Sequence, residues 1–271
     1  MTTQKEFGDF QTPLSLAEDV VRLVESLFGI PERVVEPTAG VGAFLEAAHA
    51  QWGSNTEYEG YEINPRYADT ATKKFEGTNI SITEQDFFSA DWEGVFHDGK
   101  AGKLLVLGNP PWVTNAALGA LGSENLPEKA NFQGLRGFDA KTGKSNFDIA
   151  EWMLIELFGA LPPQGALAML CKTATARKVL LHFWKTRGGV ADAALFSIDA
   201  KKHFNVSVDA CLLYAHARAS KRQTTKVHSS LAVTNETTQF GMADGHLVAD
   251  MKSYLKHKDI DGGSSYVWRS G

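Results

Sequence analysis

Asn109, Pro110, Pro111 and Trp112 follow one another directly and close an apolar run, Leu105-Val-Leu-Gly. The prolines fix the backbone and donate no N–H. Their carbonyls and the Asn109 side-chain oxygen therefore make a rigid set of acceptors beside the flat face of an indole. Such a set suits a planar aromatic amine of the adenine type, a poor nucleophile because its lone pair is delocalised. Acceptors that grip its hydrogens turn the nitrogen toward an electrophile. An amide is no general base, so the chemistry is positioning, with the proton lost to water afterwards.

Three acids precede this motif, each at the end of an expected strand. Glu36 opens the stretch Glu36-Pro-Thr-Ala-Gly-Val-Gly-Ala-Phe-Leu45, in which Gly40 and Gly42 allow a tight turn against a ligand. Leu45 stands where a dinucleotide fingerprint has its third glycine, and no Gly-Lys-Ser/Thr follows, so neither a pyrophosphate loop nor a P-loop is indicated. Glu62 comes 22 residues after Gly40, the place for an acid that accepts from both hydroxyls of a ribose. Asp86, in Gln85-Asp-Phe-Phe88, can accept from an exocyclic adenine amine, with Phe87 or Ile63 against the ring. Acids at three successive strand ends point to one ligand lying across them.

The elements needed to bring these groups together are readable. Strands are expected at Arg33–Pro37, Thr56–Ile63, Asn79–Asp86, Lys103–Asn109, Gly165–Lys172, Val190–Ile198 and Ser207–Ala217. Helices are expected at Leu14–Phe28, Gly42–Gln51, Pro65–Phe75, Asn146–Leu161 and Thr173–Thr186, with Thr12 as N-cap and Pro13 as first residue of the first. Alternation of this kind predicts an α/β doubly wound, mostly parallel sheet whose ligands gather at the carboxyl ends of the strands. Residues 113–143, rich in glycine without a period, read as an active-site flap, and from about Ala219 the chain turns polar.

Composition bounds the reading. The 271 residues are 43% apolar, enough for a proper core and one main domain. The net charge of −5 is unevenly spread: residues 1–140 hold 10 Lys+Arg against 21 Asp+Glu, and residues 141–271 hold 17 against 11. An acidic first half suits a cationic or hydroxyl-rich small ligand, and a basic second half suits phosphates. Lys172, Arg177, Lys178, Lys185, Arg187, Lys201, Lys202, Lys221 and Arg222 are its candidate phosphate contacts. Two cysteines, no signal-like stretch and no apolar run of membrane-spanning length point to the cytoplasm. No metal-ligand spacing occurs among the eight histidines and two cysteines, so no metal is expected.

In this order the motifs resemble those of the γ-type N6-adenine DNA methyltransferases of restriction–modification systems. Phe7-Gly-Asp-Phe-Gln-Thr-Pro13 is similar to that family's opening F-x-T-P motif, and Asn109–Trp112 to its N-P-P-aromatic motif. Gly143–Asp148 resembles its pocket-lining segment, and Phe204–Cys211 its late-strand motif. The resemblance covers roughly residues 7–217. It implies a Rossmann-like fold with seven strands, the last antiparallel, and S-adenosylmethionine as cofactor. The implied cofactor residues are Phe10, Thr12, Pro13, Glu36, Thr38, Ala39, Gly40, Gly42, Glu62, Ile63, Asp86, Phe87 and Asn109. Asn109, Pro110, Pro111 and Trp112 would be catalytic, and Trp112, Lys144, Asn146, Phe147 and Phe204 would meet the flipped adenine of DNA.

The sequence departs from the pattern twice. Trp112 replaces the usual Tyr, and only 54 residues follow Ala217, fewer than the family's target-recognition domain needs. Residues 1–218 are thus expected to form the catalytic domain and 219–271 an extension, the start of a missing recognition region. Recognition then falls to a missing continuation or to a partner, or the protein is a catalytic module with little specificity; a nuclease is a further candidate partner. Trp268 is a nominee for the second face of the flipped base. Two alternatives stay open: the same chemistry on an RNA base or a protein glutamine amide, and a non-catalytic cofactor-binding subunit.

Overall fold

The computed structural model describes residues 10–98, 102–113, 148–233 and 237–260. In chain order these form α1 (Leu14–Phe28), β1 (Arg33–Glu36), α2 (Ala43–Trp52), β2 (Glu57–Glu62), α3 (Pro65–Lys74), β3 (Ile80–Glu84), α4 (Trp92–Phe96) and β4 (Leu104–Gly108). There follow α5 (Ile149–Ala160), β5 (Ala166–Lys172), α6 (Thr173–Arg187), β6 (Ala191–Ile198), α7 (Ala200–Phe204) and β7 (Ala210–His216). The described part finishes with β8 (Thr224–His228), β9 (Thr237–Ala243), β10 (His246–Val248) and α8 (Met251–His257).

The central strands are apolar on both faces because both faces are covered. In β4, Leu105 and Leu107 enter the layer under α1 and α2, while Leu104 and Val106 enter the layer under α5 and α6. Alternate residues of β5 divide the same way: Ala166, Ala168 and Leu170 face one layer, Leu167, Met169 and Cys171 the other. Helix α1 commits Leu16, Val20, Leu23 and Val24 to the first layer, the spacing of one helical stripe.

The expected seven strands run in the order β3-β2-β1-β4-β5-β7-β6, with β7 antiparallel to both its neighbours. Among the described residues ten strands, not seven, make up the sheet, because β8 pairs with β6 in parallel and β9 and β10 continue it. The polar stretch after Ala219 hides these strands because they are covered only in part: β9 begins with three exposed residues before Phe240 is buried. A second difference concerns α1. Its N-cap is Pro13, with extended backbone and its carbonyl accepting from Leu16 and Ala17 N–H, so Thr12 is no cap and its hydroxyl is spent elsewhere.

The strand order reverses between β1 and β4, which pair in parallel through Val34↔Leu105 and Val35↔Val106. A crevice at the carboxyl ends follows from that reversal. Glu36 closes β1 on one side of it, and Asn109 follows β4 on the other. Among the described residues no helix is long and apolar enough to cross a membrane, and no group of three His, Cys, Asp or Glu side chains is placed to hold a metal.

Candidate functional site

The ends of β1, β2 and β3 are tied in line by the backbone. Ala39 N–H donates to Tyr61 O at 2.8 Å, and Gln85 N–H to Glu62 O at 2.9 Å. Glu62 adds its side chain: one carboxylate oxygen accepts from Gly40 N–H and the other from Asn64 N–H, each at 2.7 Å. Asp86 accepts from Phe88 N–H at 2.9 Å and caps a short turn. The loop geometry demands its glycines. Gly40 and Gly42 have φ of 55° and 77°, and a Cβ on Gly42 would lie 2.4 Å from the Phe75 ring.

Glu36 is treated differently. It is 3% exposed, and its Oε2 has no hydrogen-bond partner. Burial holds its carboxyl well above the usual carboxylate range, with the Glu62 charge pushing the same way and the Leu45 N–H and Lys74 opposing. A cation arriving beside it would meet an acceptor already stripped of water.

The segment Phe10-Gln-Thr-Pro13 reaches a different element with each residue. The Phe10 ring lies 5.8 Å from that of Trp112 and 5.9 Å from that of Phe204. Gln11 Oε1 accepts from Val41 N–H at 3.2 Å and covers Gly40. Thr12 and the Phe10 carbonyl turn to Asn109, whose Nδ2 donates to Thr12 Oγ1 at 3.3 Å and to Phe10 O at 3.2 Å. Pro13 starts α1.

With its nitrogen so engaged, Asn109 presents Oδ1, which is buried and has no partner. Thr38 Oγ1 donates to the Asn109 backbone oxygen at 3.4 Å, joining the glycine loop to the end of β4. Pro110 is buried, and Trp112 lies edge-on to Phe204 at 5.2 Å with its indole N–H unpartnered. Val113 O accepts from Ile149 N–H at 2.9 Å, tying the motif to the start of α5. There Asp148 caps the helix and pairs with Lys172 at 2.8 Å.

Most of the expected site residues therefore meet at one edge of the sheet. Phe87 is the exception: it is packed against Trp92, Phe88 and Trp152, so the exposed apolar side chain at that end is Ile63, 49% exposed. Lys144, Asn146, Phe147 and Trp268, with Phe7 and most of the segment 113–143, lie outside the described residues. Gln11 was not among the expected contacts, although its position inside the F-x-T-P motif was the signal. Seven of the nine candidate cations divide between the two edges. Lys185, Arg187, Lys221 and Arg222 are placed by α6 and the approach to β8 at the opposite edge, whereas Lys172, Lys201 and Lys202 stand at the site's own edge.

No protein-family profile matches the chain. It is 40% identical over 276 residues to the type II methyltransferase M.NspV of Nostoc sp., an alignment taking in 99% of this chain and 57% of that protein. The chain thus spans somewhat more than half the length of that relative. Among solved structures it is similar to the methyltransferase subunit of a type I restriction–modification system from Streptococcus thermophilus, with a TM-score of 0.55 and 16% identity over 95% of this chain and 54% of that one. It is also similar to the type IIG restriction endonuclease BpuSI, with a TM-score of 0.55 and 15% identity over 82% of this chain and 27% of that one. The structural likenesses are of fold alone, and the 40% identity to a type II methyltransferase agrees with the restriction–modification methyltransferase part of the resemblance read from the motifs.

Proposed function

We propose that this chain, a relative of the restriction–modification methyltransferases with their fold, transfers a methyl group from S-adenosylmethionine to the N6 amine of an adenine in DNA. The observation that carries the reading is Asn109 Oδ1, a buried acceptor without a partner at the point where the strand order reverses. When bound, S-adenosylmethionine supplies an electrophilic sulfonium methyl. Glu36 would hold its ammonium, which suits the unpartnered Oε2. Glu62, whose carboxylate already accepts from the Gly40 and Asn64 N–H groups, would take the ribose hydroxyls as well. Asp86 and Ile63 would receive the adenine.

On the other side of the crevice, Asn109 Oδ1 and the Pro110 carbonyl accept the two hydrogens of the target amine. Held in this way, the amine would turn its nitrogen lone pair toward the methyl group that a bound donor would supply, and its extra proton would pass to water. The target amine is base-paired in a duplex, so the base must leave the stack at a cost of roughly a few kcal/mol. Stacking on Trp112 offsets that cost, with Phe204 positioned on the same aromatic cluster.

Labelled-methyl transfer to plasmid DNA, RNA and protein in parallel, followed by nucleoside analysis, tests this reading. N6-methyladenine in the DNA arm supports it. Label confined to RNA or to glutamine would transfer the same chemistry to another substrate, and no label with intact cofactor binding would make the chain a binding subunit.

A further inference from the structure

We infer that the Phe10 carbonyl and the Thr12 hydroxyl form a clamp that fixes which way the Asn109 amide points and excludes a carboxylate from that position. The inference rests on the reading of Asn109 as acceptor of the target amine. A side-chain amide has two nearly isosteric ends, and only its neighbours decide which is presented to a ligand. Here the neighbours are unequal. Phe10 O can only accept, so it tolerates Nδ2 at 3.2 Å and would repel an oxygen there. Thr12 Oγ1 accepts from the same nitrogen at 3.3 Å. The amide oxygen is left buried and without a partner.

The clamp is delivered across the chain. Phe10 and Thr12 are 99 and 97 residues before Asn109, and neither is an α1 cap. Their segment is anchored on each side of the clamp: Phe10 by its ring against Trp112 and Phe204, Gln11 by its bond to Val41 N–H, and Pro13 by the first turn of α1. A strap held at three points is rigid enough to orient a side chain. Thr12 is therefore a positioning residue for the acceptor.

The clamp also makes a counter-intuitive demand. An Asn109→Asp change supplies a charged oxygen, ordinarily the stronger acceptor for an amine. It also sets a second oxygen against the Phe10 carbonyl, where no N–H remains to satisfy it. The clamp makes this variant slow; without the clamp it would be as fast as the parent or faster.

The test uses the whole chain with S-adenosylmethionine and DNA, and three variants checked for melting temperature: Thr12→Val, Thr12→Ser and Asn109→Asp. Thr12→Val is expected to lower the single-turnover methyl-transfer rate about tenfold, the scale of one lost hydrogen bond, with cofactor affinity unchanged. Thr12→Ser restores the rate, and Asn109→Asp lowers it by about a hundredfold or more. A second readout needs no turnover. The Asn109 side-chain NH2 resonances, assigned by their loss in Asn109→Ala, exchange slowly with solvent in the parent and faster in Thr12→Val. Full activity in both Thr12→Val and Asn109→Asp overturns the clamp. So does a Thr12→Val defect that resides wholly in cofactor affinity, or one that Thr12→Ser fails to rescue. Full turnover by Asn109→Ala would instead remove the functional reading, while faster NH2 exchange in Thr12→Val would still uphold the clamp.

Discussion

The two sides of the crevice solve the problem of buried polar atoms in opposite ways. At the ends of β2 and β3, the carboxylates of Glu62 and Asp86 are already bonded to backbone N–H groups of their own loops. At the end of β4, Asn109 Oδ1 and the Trp112 indole N–H have no partner, and Glu36 Oε2 shares that condition across the reversal point. A buried polar atom without a partner costs about 1–3 kcal/mol. A carboxylate has lone pairs to spare, so it can shape a loop and hold a ligand at once. One amide oxygen cannot, and this fold keeps it uncommitted. The ends of β2 and β3 are thus assembled before any ligand arrives, whereas Glu36 and Asn109, at the two strands of the reversal point, are completed only by one.

Substitutions should part along the same line. The largest effect belongs to Asn109→Ala, expected to slow single-turnover methyl transfer by about a thousandfold while donor affinity stays within about threefold. Calorimetry with S-adenosylmethionine checks the second half, and equal loss of binding would erase the distinction between the two sides. Next comes Glu36→Gln, expected to weaken donor binding by about thirtyfold, the order of a desolvated ion pair.

Glu36→Gln carries a stability signature as well. Because the folded protein keeps the Glu36 proton to a higher pH than the unfolded chain does, ionisation costs stability. That cost is absent below the ordinary value of 4.5, grows as pH rises toward the raised value of the folded state, and is complete above it. The variant's melting temperature should therefore exceed the parent's by a margin that widens as pH rises from 4, where the two differ little. Donor affinity of the parent should rise over the same pH window as Glu36 ionises. A smaller effect is expected of Phe204→Ala, about tenfold in the apparent affinity for DNA and little in that for the donor, from lost aromatic contact. Smallest is the pair Lys201→Ala and Lys202→Ala, which should reduce the slope of log affinity for DNA against log salt by about 2. The same change at Lys221 and Arg222, on the far edge, should leave it alone.

The central strands β4 and β5 were legible because they are apolar on both faces, and β1 to β4 because each ends at or beside a residue of evident chemistry. Strands β8 to β10 were not, since a partly covered strand such as Thr237–Ala243 carries too few buried side chains to show a pattern. Thr12 before Pro13 has the composition of a helix cap, and only the approach of Asn109 reveals that its hydroxyl is used otherwise. Phe87 and Ile63 were equal candidates for one ring because sequence gives no burial. Of the two rings that enclose Phe87, Trp92 lies five residues further along the chain, at the start of α4, whereas Trp152 comes from α5, an element with no link to that strand end in the sequence.

The junction of β6 with β8 has a practical consequence for anyone wishing to isolate the Asn109 half of the molecule. His228 lies flat on Phe196 at 4.4 Å, and Phe240 packs on Trp184 at 5.4 Å. A chain shortened after residue 218 would bare Phe196 and Trp184 together with the unsatisfied backbone of β6. An apolar strand left without its neighbour recruits another copy of itself. Such a shortened chain is expected to clump in light scattering at concentrations where the intact one stays dispersed.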